Sequence, residues 1–135
     1  MVQFDYDIDD FMSGCQLRDL RPKTMQSYEQ SLRIFEKYMV EVQQVTEAAA
    51  VKEGHIKEYI QYLRGRGKYT VVANEQSRKS NTPQNRPDLN KPISEITINN
   101  YLRNMKVFFN YLSENHYIKQ NPFARIKKNL TNEHK

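Results

Sequence analysis

Apolar residues recur along this chain at alternating spacings of three and four, and over no length at a spacing of two, so the pattern predicts helices and no strands. The first stripe is Phe4, Ile8, Phe11 and Cys15, with Asp7, Asp9 and Asp10 early, where the positive end of a helix favours carboxylates. The second runs from about Pro22, a good first-turn residue, through Met25, Tyr28, Leu32, Phe35 and Met39 to Val42. A third starts near Thr46, an N-cap by residue type, and carries Ile56, Tyr59, Ile60 and Leu63 towards Gly65 and Gly67, with a break expected around Gly54. The fourth follows Pro92, is capped by Ser94, and carries Ile98, Tyr101, Leu102, Met105, Phe108, Phe109 and Leu112. A short turn after Asn121-Pro122 and a basic tail from Arg125 to Lys128 close the pattern. The fold class is all-α, a bundle of four to five helices with a long loop between the third and fourth main helices.

That loop, about 68–91, is rich in Asn, Ser, Lys, Arg and Pro and offers little besides Val71 and Val72 to bury. A flexible connection of this length inside a compact domain is uncommon. It is either an element ordered by a partner or an insertion of no consequence.

Charge changes the picture more than composition does. The 135 residues suit one domain, 38% of them are hydrophobic, and the formal net charge is +5. Residues 1–19 hold five acids and one base, a local sum of −4, so the remainder carries +9. Between Arg64 and Lys91 seven bases face two acids. An acidic partner is expected. The acidic start is unlike a signal peptide and no apolar run reaches membrane-spanning length, so a cytoplasmic protein without a membrane partner is expected. One cysteine, Cys15, leaves no disulfide framework or multi-cysteine metal site, and it lies on an apolar stripe as a structural thiol would. His55, His116 and His134 are scattered, and neither a Gly-rich phosphate loop nor a nucleophile arrangement occurs. No cofactor, metal or small-molecule ligand is expected.

The second and fourth stripes repeat one another. Counting from Thr24 and Thr97, Gln26 matches Asn99, Ser27 matches Asn100, Tyr28 matches Tyr101, Leu32 matches Met105, Arg33 matches Lys106, Phe35 matches Phe108, Tyr38 matches Tyr111 and Met39 matches Leu112. Tyr28, Leu32, Phe35 and Met39 fall within a narrow arc with their counterparts, and that arc is core. Opposite it lie Gln26, Gln30, Arg33 and Lys37 on one helix and Asn99, Arg103, Lys106 and Asn110 on the other, with no acid in either set. Arg and Lys donate to phosphate and guanine, and Asn and Gln pair with adenine, so such faces suit the major groove. Exposed helix faces are polar in any case, and two helices with similar packing converge on similar patterns.

Leu20-Arg21-Pro22-Lys23-Thr24 followed by Tyr28, Leu32 and Phe35 resembles the opening of the N-terminal core-binding domain of tyrosine recombinases, the phage integrase group. Thr97 to Leu102, Phe108 to Leu112, Tyr117-Ile118 and Asn121-Pro122-Phe123 resemble its closing part, and Ile56 to Ile60 with Leu63 its middle helix. The resemblance covers roughly residues 5–128. It implies a SAM-like bundle forming half of a clamp around DNA, with residues 1–128 as the core-binding domain and 129–135 as the start of a linker to a catalytic domain absent from this sequence. No His-x-x-Arg motif occurs, so the resemblance implies a non-catalytic fragment of a tyrosine site-specific recombinase of a mobile element. Arg21 stands where the family often has a small capping residue, and the basic loop is longer than usual.

The resulting expectation is binding of double-stranded DNA in support of recombination or integration. The expected contact residues are Arg21, Lys23, Thr24, Gln26, Ser27, Gln30 and Arg33 with Asn99, Asn100, Arg103 and Lys106, joined by loop and tail cations Lys68, Arg78, Lys79, Arg86, Lys127 and Lys128. Other protomers are expected partners through the N-terminal helix. The alternatives are a helical protein-interaction module docking by its acidic first helix, or a freestanding DNA-binding regulator derived from a truncated recombinase.

Overall fold

The computed structural model describes residues 2–65 and 93–126. Among them are four α-helices and no strands: α1 (Gln3–Leu17), α2 (Pro22–Tyr38), α3 (Glu53–Gly65) and α4 (Glu95–Glu114). A π-helical turn, Met39–Gln43, and a 3₁₀ turn, Ala48–Ala50, lie between α2 and α3.

α1 forms where the first stripe predicts it, and Phe4, Ile8, Phe11 and Cys15 are all completely buried. Burying Phe4, Ile8 or Phe11 stabilises the fold by about 1.5–3 kcal/mol each. Its first turn is tied down by three backbone donors: Val2 N–H to the Asp5 carboxylate at 3.0 Å, Phe4 N–H to the Thr46 carbonyl at 2.9 Å, and Ala48 N–H to the Asp7 carboxylate at 3.2 Å. Thr46 therefore holds the start of α1 instead of opening α3. The helix α3 starts at Glu53, and Gly54 lies inside its first turn without a break.

α2 begins on Pro22, whose missing N–H is one of the donors a first turn leaves unpaired. The stripe predicts a helix continuing to Val42, but the helix widens into the π turn after Tyr38 and closes on Gln44 at φ 58°. The extra residue in that turn rotates Val42 off the apolar side, where it is 56% exposed. α4 opens as its sequence predicts, with the Ser94 hydroxyl accepting from Thr97 N–H at 3.1 Å. The final turn also forms: the Asn121 side chain accepts from Phe123 N–H at 2.9 Å, and Phe123 is buried.

The core is a run of aromatic rings drawn from all four helices. Phe108 packs 5.5 Å edge-on to Phe11 and 6.4 Å from Phe4, while Phe35 meets Tyr59 at 4.9 Å and Phe109 at 6.2 Å. Each edge-to-face pair adds about 0.5–1.5 kcal/mol to burial. The periodic aromatics of α2 and α4 are thus committed to packing, which fixes the side of each helix that remains available.

Candidate nucleic-acid interface

The acids of α1 fold back onto the protein. Asp5 and Asp9 reach Arg33 of α2, Asp7 caps Ala48, and the Asp10 carboxylate accepts from the Tyr111 hydroxyl of α4 at 2.7 Å. Burial, then that bond to Asp10, pushes the Tyr111 hydroxyl up to about 12.

Arg33 is the centre of this arrangement. Its guanidinium lies 2.6 Å from Asp9, 3.3 Å from Glu29, and 3.5 Å from both Asp5 and Glu36. Although burial opposes its charge, the Asp9 bond and the surrounding carboxylates raise its pKa. Glu36 is buried, which together with the bond to Asp5 pushes it up to about 8, so near neutrality it carries a proton. Asp5 accepts that proton's hydrogen bond and is held below the ordinary carboxylate range. Four carboxyl groups therefore surround Arg33, where the sequence pattern placed it on a face free of acids. Two of them come from α1, a partner that the periodicity of α2 does not reveal.

On its other side α2 meets α4 through a buried polar contact. The Asn104 side-chain nitrogen lies 3.0 Å from the Ser31 hydroxyl, 3.1 Å from the Ser27 hydroxyl and 3.3 Å from the Ser27 carbonyl. Ser31 and Asn104 each stand seven residues after the threonine that opens its repeat. The repeated helices thus touch at equivalent positions. Gln30 and Arg103 each precede that contact by one residue, and Ser27 and Asn100 by one turn.

These placements divide the expected contact residues. Lys23, Ser27 and Ser31 form one row on α2 at a spacing of four, with Gln30 beside it, and Asn100 and Asn104 form the matching row on α4 with Arg103 beside it. Lys23, Ser27, Gln30, Asn100 and Arg103 are all exposed, and Arg103 donates to the Asn100 side-chain oxygen at 3.1 Å. By helical register they flank the contact that Asn104 makes with Ser27 and Ser31, the seam between the two helices. Among the described residues no carboxylate pairs with Lys23, Arg103 or Lys106. Arg21 is exposed just before α2, its carbonyl accepting from Met25 N–H, and Thr24 is half-buried.

Asn99 and Lys106 do not join the seam. At 100° per residue they stand about 140° and 160° round α4 from Asn104, against about 100° for Arg103, which Lys106 follows by one turn. Asn99 donates to the Glu95 carbonyl at 3.1 Å, next to the Arg64–Glu95 ion pair that ties α3 to α4. Gln26 lies seven residues before Arg33, hence in the Arg33 row that turns towards α1. Lys68, Arg78, Lys79, Arg86, Lys127 and Lys128 lie outside the described residues. Asn104 itself was missed, because a single Asn within an apolar stripe reads as a lapse in the pattern. The repeat register carried the signal, since it pairs Asn104 with Ser31.

Among the described residues no three His, Cys, Asp or Glu side chains are placed to hold a metal ion, and no helix is long and apolar enough to cross a membrane. A family model described as the phage integrase SAM-like domain matches residues 8–130, and the chain belongs to that family. Searches of curated proteins and of solved structures find no match.

Proposed function

We propose that this chain binds duplex DNA through the α2–α4 seam, as the non-catalytic, core-binding part of a tyrosine recombinase acting in site-specific recombination. Lys23, Arg103 and Arg21 contact phosphates, and Gln30, Asn100 and Ser27 meet base edges. Strand cleavage belongs to a separate catalytic domain of the parent protein. Family membership supports this reading. The observation that carries it at residue level is the Ser31–Asn104 contact, which sets two equivalent, acid-free polar rows side by side while the acids of α1 gather at Arg33 and Tyr111. Fluorescence anisotropy of a labelled mixed-sequence duplex at increasing salt tests it. The logarithm of affinity is expected to fall linearly with the logarithm of salt, by close to one per phosphate contact. Absence of salt-dependent binding contradicts the proposal.

A groove of about 630 Å³ supports a second reading, contact with a neighbouring protomer. It is lined by Asp7, Asp9, Asp10 and Glu47 together with Tyr6 and Tyr117. Both tyrosines are more than half exposed, so the groove suits a basic segment able to meet carboxylates and aromatic faces.

A further inference from the structure

We infer that Asn104 is the positioning residue of the DNA-binding seam: its amide, held by Ser27 and Ser31, sets how α2 and α4 stand relative to one another and hence the separation of Lys23 and Gln30 from Asn100 and Arg103. The inference rests on the DNA-binding reading and adds the device that makes the two rows act together.

Stability alone does not account for a buried asparagine here. The rest of the inward face of α4 is apolar, with Ile98, Met105, Phe108, Phe109 and Leu112 almost fully enclosed. Asn104 is 5% exposed and Ser31 3%, so the amide loses its water on folding. An aliphatic side chain would fill that place without the cost of desolvation, and the two serine hydroxyls can turn to carbonyls one turn back on their own helix. What an aliphatic residue cannot supply is direction. The amide offers two N–H groups to three acceptors, the Ser31 hydroxyl and the Ser27 hydroxyl and carbonyl, all within 3.3 Å. Sliding α4 by one residue would move it about 1.5 Å and turn it about 100°, breaking all three bonds. An apolar seam tolerates such a shift, whereas a buried hydrogen-bonded polar residue fixes register. The residues whose spacing matters lie directly beside the pin. Lys23 is one turn from Ser27, Asn100 one turn from Asn104, and Arg103 is bonded to Asn100. Base-edge contacts tolerate errors of only about 0.5 Å, so a small change in helix spacing removes sequence discrimination before it removes attraction to phosphate.

The test uses the whole chain and its Asn104→Leu variant. Each is titrated against a mixed-sequence duplex and against the duplex that the unsubstituted chain enriches from a randomised pool. Nitroxide labels at Gln26→Cys and Lys106→Cys, both off the Lys23–Ser27–Ser31 and Asn100–Asn104 rows, report the α2–α4 distance by pulsed electron spin resonance. Asn104→Leu is expected to stay folded by circular dichroism, to broaden the distance distribution, and to lose about tenfold or more of its preference for the enriched duplex with less than about threefold change on mixed-sequence DNA. Should Asn104→Leu not fold, the Ser31→Ala, Asn104→Leu double variant, which removes both buried polar side chains, takes its place with the same expectation. A narrow, unshifted distance with an unchanged preference overturns the role of Asn104. A broadened distance with no DNA binding by the unsubstituted chain overturns the DNA reading of the seam instead.

Discussion

Arg33 of α2 lies 2.6 Å from Asp9 of α1, and that bond anchors a guanidinium shared among four carboxyl groups. Removing it leaves Asp5, Asp9, Glu29 and Glu36 facing one another. Arg33→Ala is expected to destabilise the fold by about 1–3 kcal/mol in urea unfolding, since charge-assisted hydrogen bonds are lost and negative charges are left uncompensated. Its salt slope for DNA binding should equal that of the unsubstituted chain. A flatter slope would show that Arg33 contacts phosphate after all.

The proton on Glu36 predicts a pH dependence. Its value in the folded chain is about 8 against an ordinary 4.5, so the folded state binds a proton that the unfolded state releases. Stability linked to this group is complete below about pH 4.5 and is lost as pH rises through about 8. Asp5, held low, acts in the opposite sense and only in acid. The urea midpoint should therefore fall between about pH 5.5 and 8.5, and Glu36→Gln, which keeps a donor without ionising, should flatten that fall. A midpoint that rises over the same range would contradict the proton sharing.

Gly14 faces Tyr111 across the α1–α4 contact with room for one methyl group. A Cβ at Gly14 would meet the nearest Tyr111 ring carbon at 3.5 Å, ordinary van der Waals contact, and its backbone is helical. Gly14→Ala should stabilise the protein by about 0.5–1 kcal/mol by restricting the unfolded chain. Tyr111→Phe, which abandons the bond to Asp10, should cost about 1 kcal/mol. Thermal unfolding of the two variants reads both signs.

On DNA the cations of α4 should separate. Arg103→Ala is expected to weaken binding and reduce the salt slope by about one, whereas Lys106→Ala, one turn on and farther round from the Asn104 row, should leave the slope unchanged within error. Equal effects from the two would place DNA on the outer face of α4 instead.

Much of the fold was legible because it depends on local periodicity. The four stripes, the Ser94 cap, the turn at Asn121 and the committed aromatics all follow from spacing and residue type. The departures come from contacts between elements. Thr46 gives its carbonyl to Phe4, and the π turn swings Val42 outward, so neither residue plays the part its own segment implies. The candidate site was legible only in outline. The repeat picked out two helices that do meet, at Ser31 and Asn104, but treating each polar face as a unit put Arg33 with residues from which its bonds to α1 separate it. Arg33 is claimed by acids from another helix, and the face of α4 is divided by where Asn104 meets Ser31.

Whether the α2–α4 seam is the surface that meets DNA can be read residue by residue in an amide-shift titration of the isotope-labelled chain with duplex DNA. Binding at the seam gives salt-sensitive shifts concentrated at Lys23, Ser27, Gln30, Asn100 and Arg103, with little change at Asp7, Asp10 and Tyr117. Shifts confined to the α1 groove, with silence along the seam, would contradict it.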